Sequence, residues 1–357
     1  MHDPWRYCDA DDDVVADFLA ASVQRLIESG GWLNPETRLV ARGGQIHVEC
    51  DADAGEPLFR VPRAAFLHVG AISWSDDAEA LAITDMGVSA GDTDLALLFS
   101  QIGLHNSCGK LPWIAATHPT LAADLTDEII NAVRAIQPNF RTQHPSAAEL
   151  FWRNRAFHIP AFSDEPELIA LPVLDLLNHH PSGAVGSWTG EEFVVDVRRP
   201  HGDAQCFLNY GLHRDALEFA IVYGFADMAN PHAHSAPLSV DVDGVGTIHI
   251  AAHGRSDSGE LLPITVERVG DDWHVSHLDL GDPRVVDEVT AHSGQSDEWC
   301  RDVLAAVATA NLTLLAGLNA TLDGHPRSPA AAIVRSAVER QRQVITANLG
   351  PSVQSPS

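Results

Sequence analysis

Basic residues are scarce in this 357-residue chain: 22 lysines and arginines stand against 49 aspartates and glutamates, a formal net charge of −27. A surface of that sign repels phosphate backbones, since nucleic-acid binders need a basic patch to displace counterions. Nucleic acid is therefore excluded as a partner. Such acidity suits attraction of a basic protein or a cationic small molecule, which weakens with salt, or serves only solubility or a salty habitat. Cysteine is scarce as well. Cys8, Cys50, Cys108, Cys206 and Cys300 are scattered, and no Cys-x-x-Cys pair occurs. That pattern signals neither a thiolate zinc site nor a redox pair. The opening Met1-His2-Asp3-Pro4-Trp5-Arg6 runs into Asp11-Asp12-Asp13, without the basic-then-apolar order of a signal peptide. Long apolar runs are missing too: the most apolar late stretch, Val303 to Leu318, is interrupted by Thr309, Asn311 and Thr313 and falls short of a membrane span. The expectation is a cytoplasmic protein without membrane attachment.

What is present is a globular composition. Hydrophobic residues make up 45% of the chain, enough for a real core, and the length suits two domains or one domain with a large insertion. Val14/Val15, Phe18/Leu19, Val23 and Leu26/Ile27 recur at helical spacing between the aspartates and Gly30-Gly31. Residues 39–67 turn to short strand-like pieces, Gln45 to Glu49 and Leu58 to Pro62, with a turn at Ala54-Gly55-Glu56. Residues 75–150 read as helical. One stripe is Leu95, Leu98, Phe99 and Ile102. A second is Leu121, Leu125, Ile129, Val133 and Ile136, stopped by Pro138, and a third helix is expected from about Ser146 to Phe157. Strands are expected over 168–177, 193–197 and 206–208, a helix over 214–222, short strands over 237–280, and helices over 303–318 and 330–345. The tail after Gly350 is expected to fray.

Two blocks can carry chemistry. Leu171-Pro172-Val173-Leu174-Asp175-Leu176-Leu177-Asn178-His179-His180 is an apolar run that ends in Asp-x-x-Asn-His. Asn178 donates and accepts at once, as an amide or adenine edge requires, and His179 does so through its two ring nitrogens. Caps and turns are the plainer use of such residues. The second block is Asn209-Tyr210-Gly211, followed thirteen residues later by Tyr223-Gly224-Phe225. The chain has three tyrosines, and two stand here, each before a glycine free to take positive φ or approach a ligand closely. Two half-buried tyrosines flanking a helix would be the structural alternative. His232-x-His234, His249, His253, His274 and His277 crowd together, but without a helix-borne His-Glu-x-x-His, and no metal is expected.

Taken in order, these motifs resemble the end of a SET-domain methyltransferase, in the branch of the RuBisCO large-subunit lysine methyltransferase. There Asp-x-x-Asn-His is followed by a hairpin, a tyrosine motif, a helix and Tyr-Gly-Phe. Asn154-Arg155-Ala156-Phe157 is similar to the upstream Ser-Arg-Ala-Phe element, and Leu58 to Pro62 to the early strand ending in Val-Pro.

The resemblance implies an α+β fold: a β-rich SET body with a pseudoknot-like crossing, a helical insert and a mixed, mainly helical C-terminal lobe. The implied boundaries are 1–74 for the first part of the SET body, 75–149 for the insert, 150–227 for the motif-bearing part, 228–350 for the lobe and 351–357 for the tail. It implies S-adenosyl-L-methionine as cofactor and N-methylation of a lysine side chain of a protein. A small-molecule amine, other chemistry on that cofactor, or an inactive SET-like binding module are the alternatives. Carried over by motif, Asn178 and His179 hold the adenine and ribose, Arg155 and Asn154 face the methionine part, and Asp175 orients them. Tyr210 stands beside the transferring methyl, Tyr223 lines the channel for the amine, and Trp188 and Phe225 flank that channel. The family's Gly-x-Gly corresponds here to Gly43-Gly44, adjacent glycines after Arg42, which would contact the cofactor.

Overall fold

The computed structural model describes residues 3–43, 45–68, 73–75, 82–85, 125–140, 155–162, 167–254, 261–325 and 328–349. The helix expected through Leu95 to Ile102 lies outside them, as do Gly44, Asn154 and the tail. The chain forms two compact units, Met1–Ala115 with Pro145–Tyr210, and Ala116–His144 with Gly211–Ser357. The division thus falls after Tyr210, within the segment 150–227.

In the first unit, helix α1 (Asp13–Glu28) starts where Asp12 accepts hydrogen bonds from the backbone N–H groups of Val14 and Val15, and Gly30 at φ +83° follows its end. Such a cap satisfies N–H groups that have no partner within the helix. Leu19, Val23 and Leu26, one helical turn apart, are fully buried. Fourteen described strands follow the chain: β1 (Cys8–Ala10), β2 (Trp32–Leu33), β3 (Thr37–Arg42), β4 (Gln45–Cys50), β5 (Pro57–Pro62), β6 (Leu67–His68), β7 (Ser73–Ser75), β8 (Ala82–Asp85), β9 (Phe157–Ile159), β10 (Glu167–Ala170), β11 (Asn178–Ala184), β12 (Ser187–Trp188), β13 (Glu192–Asp196) and β14 (Gln205–Leu208). They build sheets in the orders β1-β3-β4-β14-β11, β12-β13-β5-β2, β6-β10-β9 and β7-β8. The first sheet matters most. β3 and β4 pair antiparallel with Arg42 opposite Gln45, and a turn begins at Gly43. Gly43 sits at φ +57°, the left-handed conformation such a turn demands. β14 pairs antiparallel with β4 and parallel with β11, Asn178 opposite Phe207 and His179 opposite Leu208.

Two sequence expectations change here. Phe157 opens strand β9 and does not close a helix. The strand expected over 168–177 ends at Ala170 and gives way to a turn and a 3-10 helix, Leu174–Leu176. Pro172 lacks the N–H that would continue a ladder, and Val173 takes φ +73°.

The second unit has its own core. Helix α2 (Asp127–Ile136) is capped by Thr126 and ends before Pro138; its buried Ile129, Val133 and Ile136 belong to that core. Helix α3 (Ala216–Tyr223) starts at a capping box, Asp215 accepting from the Glu218 N–H and Glu218 from the Asp215 N–H, and ends at Gly224 in the left-handed conformation. A four-stranded sheet, β15 (Leu238–Val242), β16 (Gly246–Ile250), β17 (Val266–Val269) and β18 (Asp272–Val275), is ordered β15-β16-β18-β17. Helices α4 (Val285–Ser293), α5 (Asp297–Asp323) and α6 (Pro329–Leu349) complete it.

Helix α5 has the length and hydropathy of a membrane span. Its apolar residues are one-sided, however: Cys300, Val303, Leu304, Val307, Leu315, Leu318 and Leu322 are buried in the core, while Thr309 and Thr313 are exposed and donate to carbonyls four residues back. Asn311 on the buried face explains a polar break in the apolar run. Its Oδ1 accepts from the Ala236 N–H at 2.8 Å, and its Nδ2 donates to Ser235 Oγ at 2.9 Å. Asn311→Ala strands a buried N–H, so a loss of about 1–3 kcal/mol is expected in urea unfolding; an unchanged midpoint would show that water or a shifted helix replaces the amide.

Candidate functional site

The Asp-x-x-Asn-His motif emerges from a strained turn. Val173 is buried, β-branched and at φ +73°, a conformation costing about 1–3 kcal/mol that tends to collect at functional sites. The chain then enters β11. Asn178 is exposed at its first position and donates from Nδ2 to the Ile46 carbonyl of β4 at 3.2 Å. This leaves the amide's second N–H and its carbonyl oxygen for another partner.

Tyr210, two residues past β14, is held on three sides. Its backbone N–H donates to His179 Nδ1 at 3.1 Å, its hydroxyl donates to the Leu177 carbonyl at 2.5 Å, and its ring lies 5.2 Å from the His179 ring, centroid to centroid. A ring nitrogen that accepts carries no proton, so neutral His179 bears its proton on Nε2. The parallel pairing of β11 with β14 is what puts these residues side by side. Arg155 joins them. Its guanidinium is deprived of water, which lowers its pKa, while the charges of Asp175 and Tyr210 act on it in the opposite sense. A buried cation beside one carboxylate is suited to a second anionic group, such as a ligand carboxylate.

The structure therefore brings Arg155, Asp175, Asn178, His179 and Tyr210 together in the first unit. Gly43 has a turn role: its N–H donates to Asp11 Oδ2 at 3.0 Å, and a side chain there would meet open space, so its φ explains the glycine. Arg42, next to it, pairs with Asp9. Trp188 packs its ring 5.2 Å from that of Phe66 at the flank of the core.

Tyr223 and Phe225 belong to the second unit, where they share an aromatic cluster with Phe219. Ring centroids stand 5.6 Å apart for Phe219 and Tyr223, and 5.5 Å for Phe219 and Phe225. The Arg214 guanidinium lies 5.8 Å from the Tyr223 centroid, within reach of a cation–π attraction. Sequence reading passed over Arg214 and the buried pair Asp215 and Glu218, although Asp-x-x-Glu before an apolar run is a capping-box signature. The histidines separate by pairs: His234 stacks on His253 at 4.8 Å and His249 on His274 at 4.7 Å. Among the described residues no group of three or more His, Cys, Asp or Glu is arranged to hold a metal ion. Burial pushes the Cys8 and Cys206 thiols up to about 12, so neither is a thiolate nucleophile near neutrality.

The first-unit group offers hydrogen-bond donors and acceptors for a heterocycle, a buried cation for a carboxylate, and a fixed phenol. It can bind and orient; it has no evident nucleophile for a covalent intermediate. No family model matches the chain, and no curated protein does. Solved structures do match. The SET domain of LSMT bound to lysine and AdoHcy aligns over 95% of this chain and 91% of its own, at 14% identity and a TM-score of 0.43. Rubisco LSMT bound to AdoMet aligns over 94% and 90%, at 13% identity and a TM-score of 0.41. By its own helices and sheets the chain is an α+β protein, and its likeness to these SET-domain structures is loose.

Proposed function

We propose that this chain transfers a methyl group from S-adenosylmethionine to an amine, and that the amine is a lysine of a basic protein. The observation that carries the proposal is the grouping of Arg155, Asp175, Asn178, His179 and Tyr210 around the start of β11, in the motif order quoted above. The cofactor supplies an activated methyl on a sulfonium. The spare amide groups of Asn178 and the Nε2–H of His179 suit an adenine and ribose, and Arg155, within the field of Asp175, suits an amino-acid carboxylate.

The Tyr210 hydroxyl donates a hydrogen bond to the Leu177 carbonyl, so its oxygen lone pairs point away from that carbonyl. There it can accept the weak C–H contacts of a methyl bound to positive sulfur, and no tyrosinate is required. The acceptor must lose a proton, which for a lysine of ordinary pKa ~10.4 costs roughly 4–5 kcal/mol at neutral pH. Poorly hydrated surroundings lower this cost by disfavouring the ammonium. The net charge of −27 supports a basic polypeptide as the acceptor.

The test is incubation with methyl-labelled cofactor and a host proteome at low and high salt. Label is expected on lysines of basic proteins, more at low salt, because screening slows association. Label confined to small metabolites would transfer the proposal to a small-molecule amine, and salt-indifferent transfer to protein would remove electrostatic docking.

A further inference from the structure

Behind the Tyr223 ring the second unit buries more ionisable groups than helix capping needs. Asp215 and Glu218 are both buried, and so are His234 and His253. Glu218 is the hub. Its Oε2 accepts from the Asp215 N–H at 3.1 Å and lies 3.9 Å from His234 Nε2. Its Oε1 is contested: His253 Nε2 stands 3.3 Å away and Arg214 Nη1 3.7 Å away.

The surrounding elements supply the remaining groups. Gln137, after α2, donates to Asp215 Oδ2 at 3.1 Å, and the His234 N–H donates to the same oxygen at 3.3 Å. His232 and Asp279 pair at 2.5 Å, with the His213 ring 5.0 Å from that of His232. Arg340 of α6 donates to the Asn230 carbonyl, while Asn230 donates to that of Arg214.

Among the described residues, the two buried carboxylates of Asp215 and Glu218 lie beside one arginine, Arg214. Burial, and then the charge of Glu218, raise the pKa of Asp215, while the two histidines pull it down. His234 Nε2 donates to the His213 carbonyl, and its Nδ1 is buried without a hydrogen-bond partner among the described residues. The His234 and His253 rings stack 4.8 Å apart. Of the two, His253 is the one that faces the carboxylate oxygen Oε1 of Glu218 directly.

We propose that Glu218 is a positioning residue: by dividing one carboxylate oxygen between His253 and Arg214, it sets the guanidinium against the Tyr223 ring according to whether His253 carries a proton. A protonated His253 satisfies Oε1 and lets Arg214 rest on the ring face. A neutral His253 leaves Arg214 as the counter-ion, drawn towards the carboxylate. The effect on an amine at Tyr223 rests on the function proposed above, since a cation beside that ring would favour the unprotonated amine; the proton linkage itself does not.

The chain has three tyrosines, so ring-labelled tyrosine NMR gives few signals, and Tyr223→Phe assigns the relevant one. In the wild type the Tyr223 signals should shift with pH over the histidine range, roughly pH 5 to 8, with the midpoint of the His253 signal. That shift should be lost in His253→Gln and in Glu218→Gln. Tyr223 signals indifferent to pH in the wild type would overturn the proposal even if neither variant folds, as would a shift retained in folded His253→Gln. A linkage found in a chain that transfers no methyl group would uphold the relay and remove only the enzymatic reading.

Discussion

Tyr210→Phe is expected to cut methyl transfer about 10²-fold, the scale on which one preorganised dipole at a reacting centre acts, while leaving cofactor affinity nearly unchanged. The reason lies in what the substitution keeps. The His179 Nδ1 bond is made by the Tyr210 backbone N–H, so it survives, and the ring can still pack beside His179. Only the hydroxyl goes. Its loss also strips the Leu177 carbonyl of a donor, so stability should fall by about 0.5–1.5 kcal/mol. Single-turnover rates at saturating cofactor, set beside calorimetric affinities, separate these effects. Equal losses of affinity and rate would make Tyr210 a structural clasp on the loop before β11, and the methyl-transfer reading would lose its central residue.

Asn178→Ala should weaken S-adenosylmethionine or S-adenosylhomocysteine by about 1–3 kcal/mol, roughly 5- to 150-fold. Asn178 is exposed and tied by only one N–H, to the Ile46 carbonyl, so the remaining polar atoms of its amide are placed for a ligand. Asn178→Asp is the sharper variant: it keeps the size but sets a carboxylate oxygen against the Ile46 carbonyl, and it should bind no better than the alanine. Calorimetry decides. A wild type that binds nothing at millimolar ligand would favour an inactive binding module over an enzyme, and an alanine variant of undiminished affinity would reduce Asn178 to a residue that starts a strand.

Much of the framework is legible without coordinates because it is local. The stripe in α1 lies between Asp12 and Gly30, α2 stops before Pro138, and β4 alternates buried and open positions, each set by neighbours within a few residues. The motif residues around β11 stand out as a short polar cluster at the end of an apolar run, and their cofactor roles are what the resemblance implies. Where local preference misled, a distant contact overrode it. Val173 reads as strand, because β-branched residues favour strands, yet the buried turn holds it at positive φ.

The rest was decided by pairing between segments far apart in the chain. Asn178 meets Ile46 across 132 residues, and Tyr210 meets Leu177 across 33, through strands whose register no local pattern encodes. His253, just past β16, stands 3.3 Å from Glu218 in the first turn of α3, far back in the chain. Hydrophobic period and capping act within a turn or two of the chain, so they place elements but do not say which elements meet. The choice of partner depends on burying both cores at once and satisfying each buried polar group, and only the folded chain meets those conditions together.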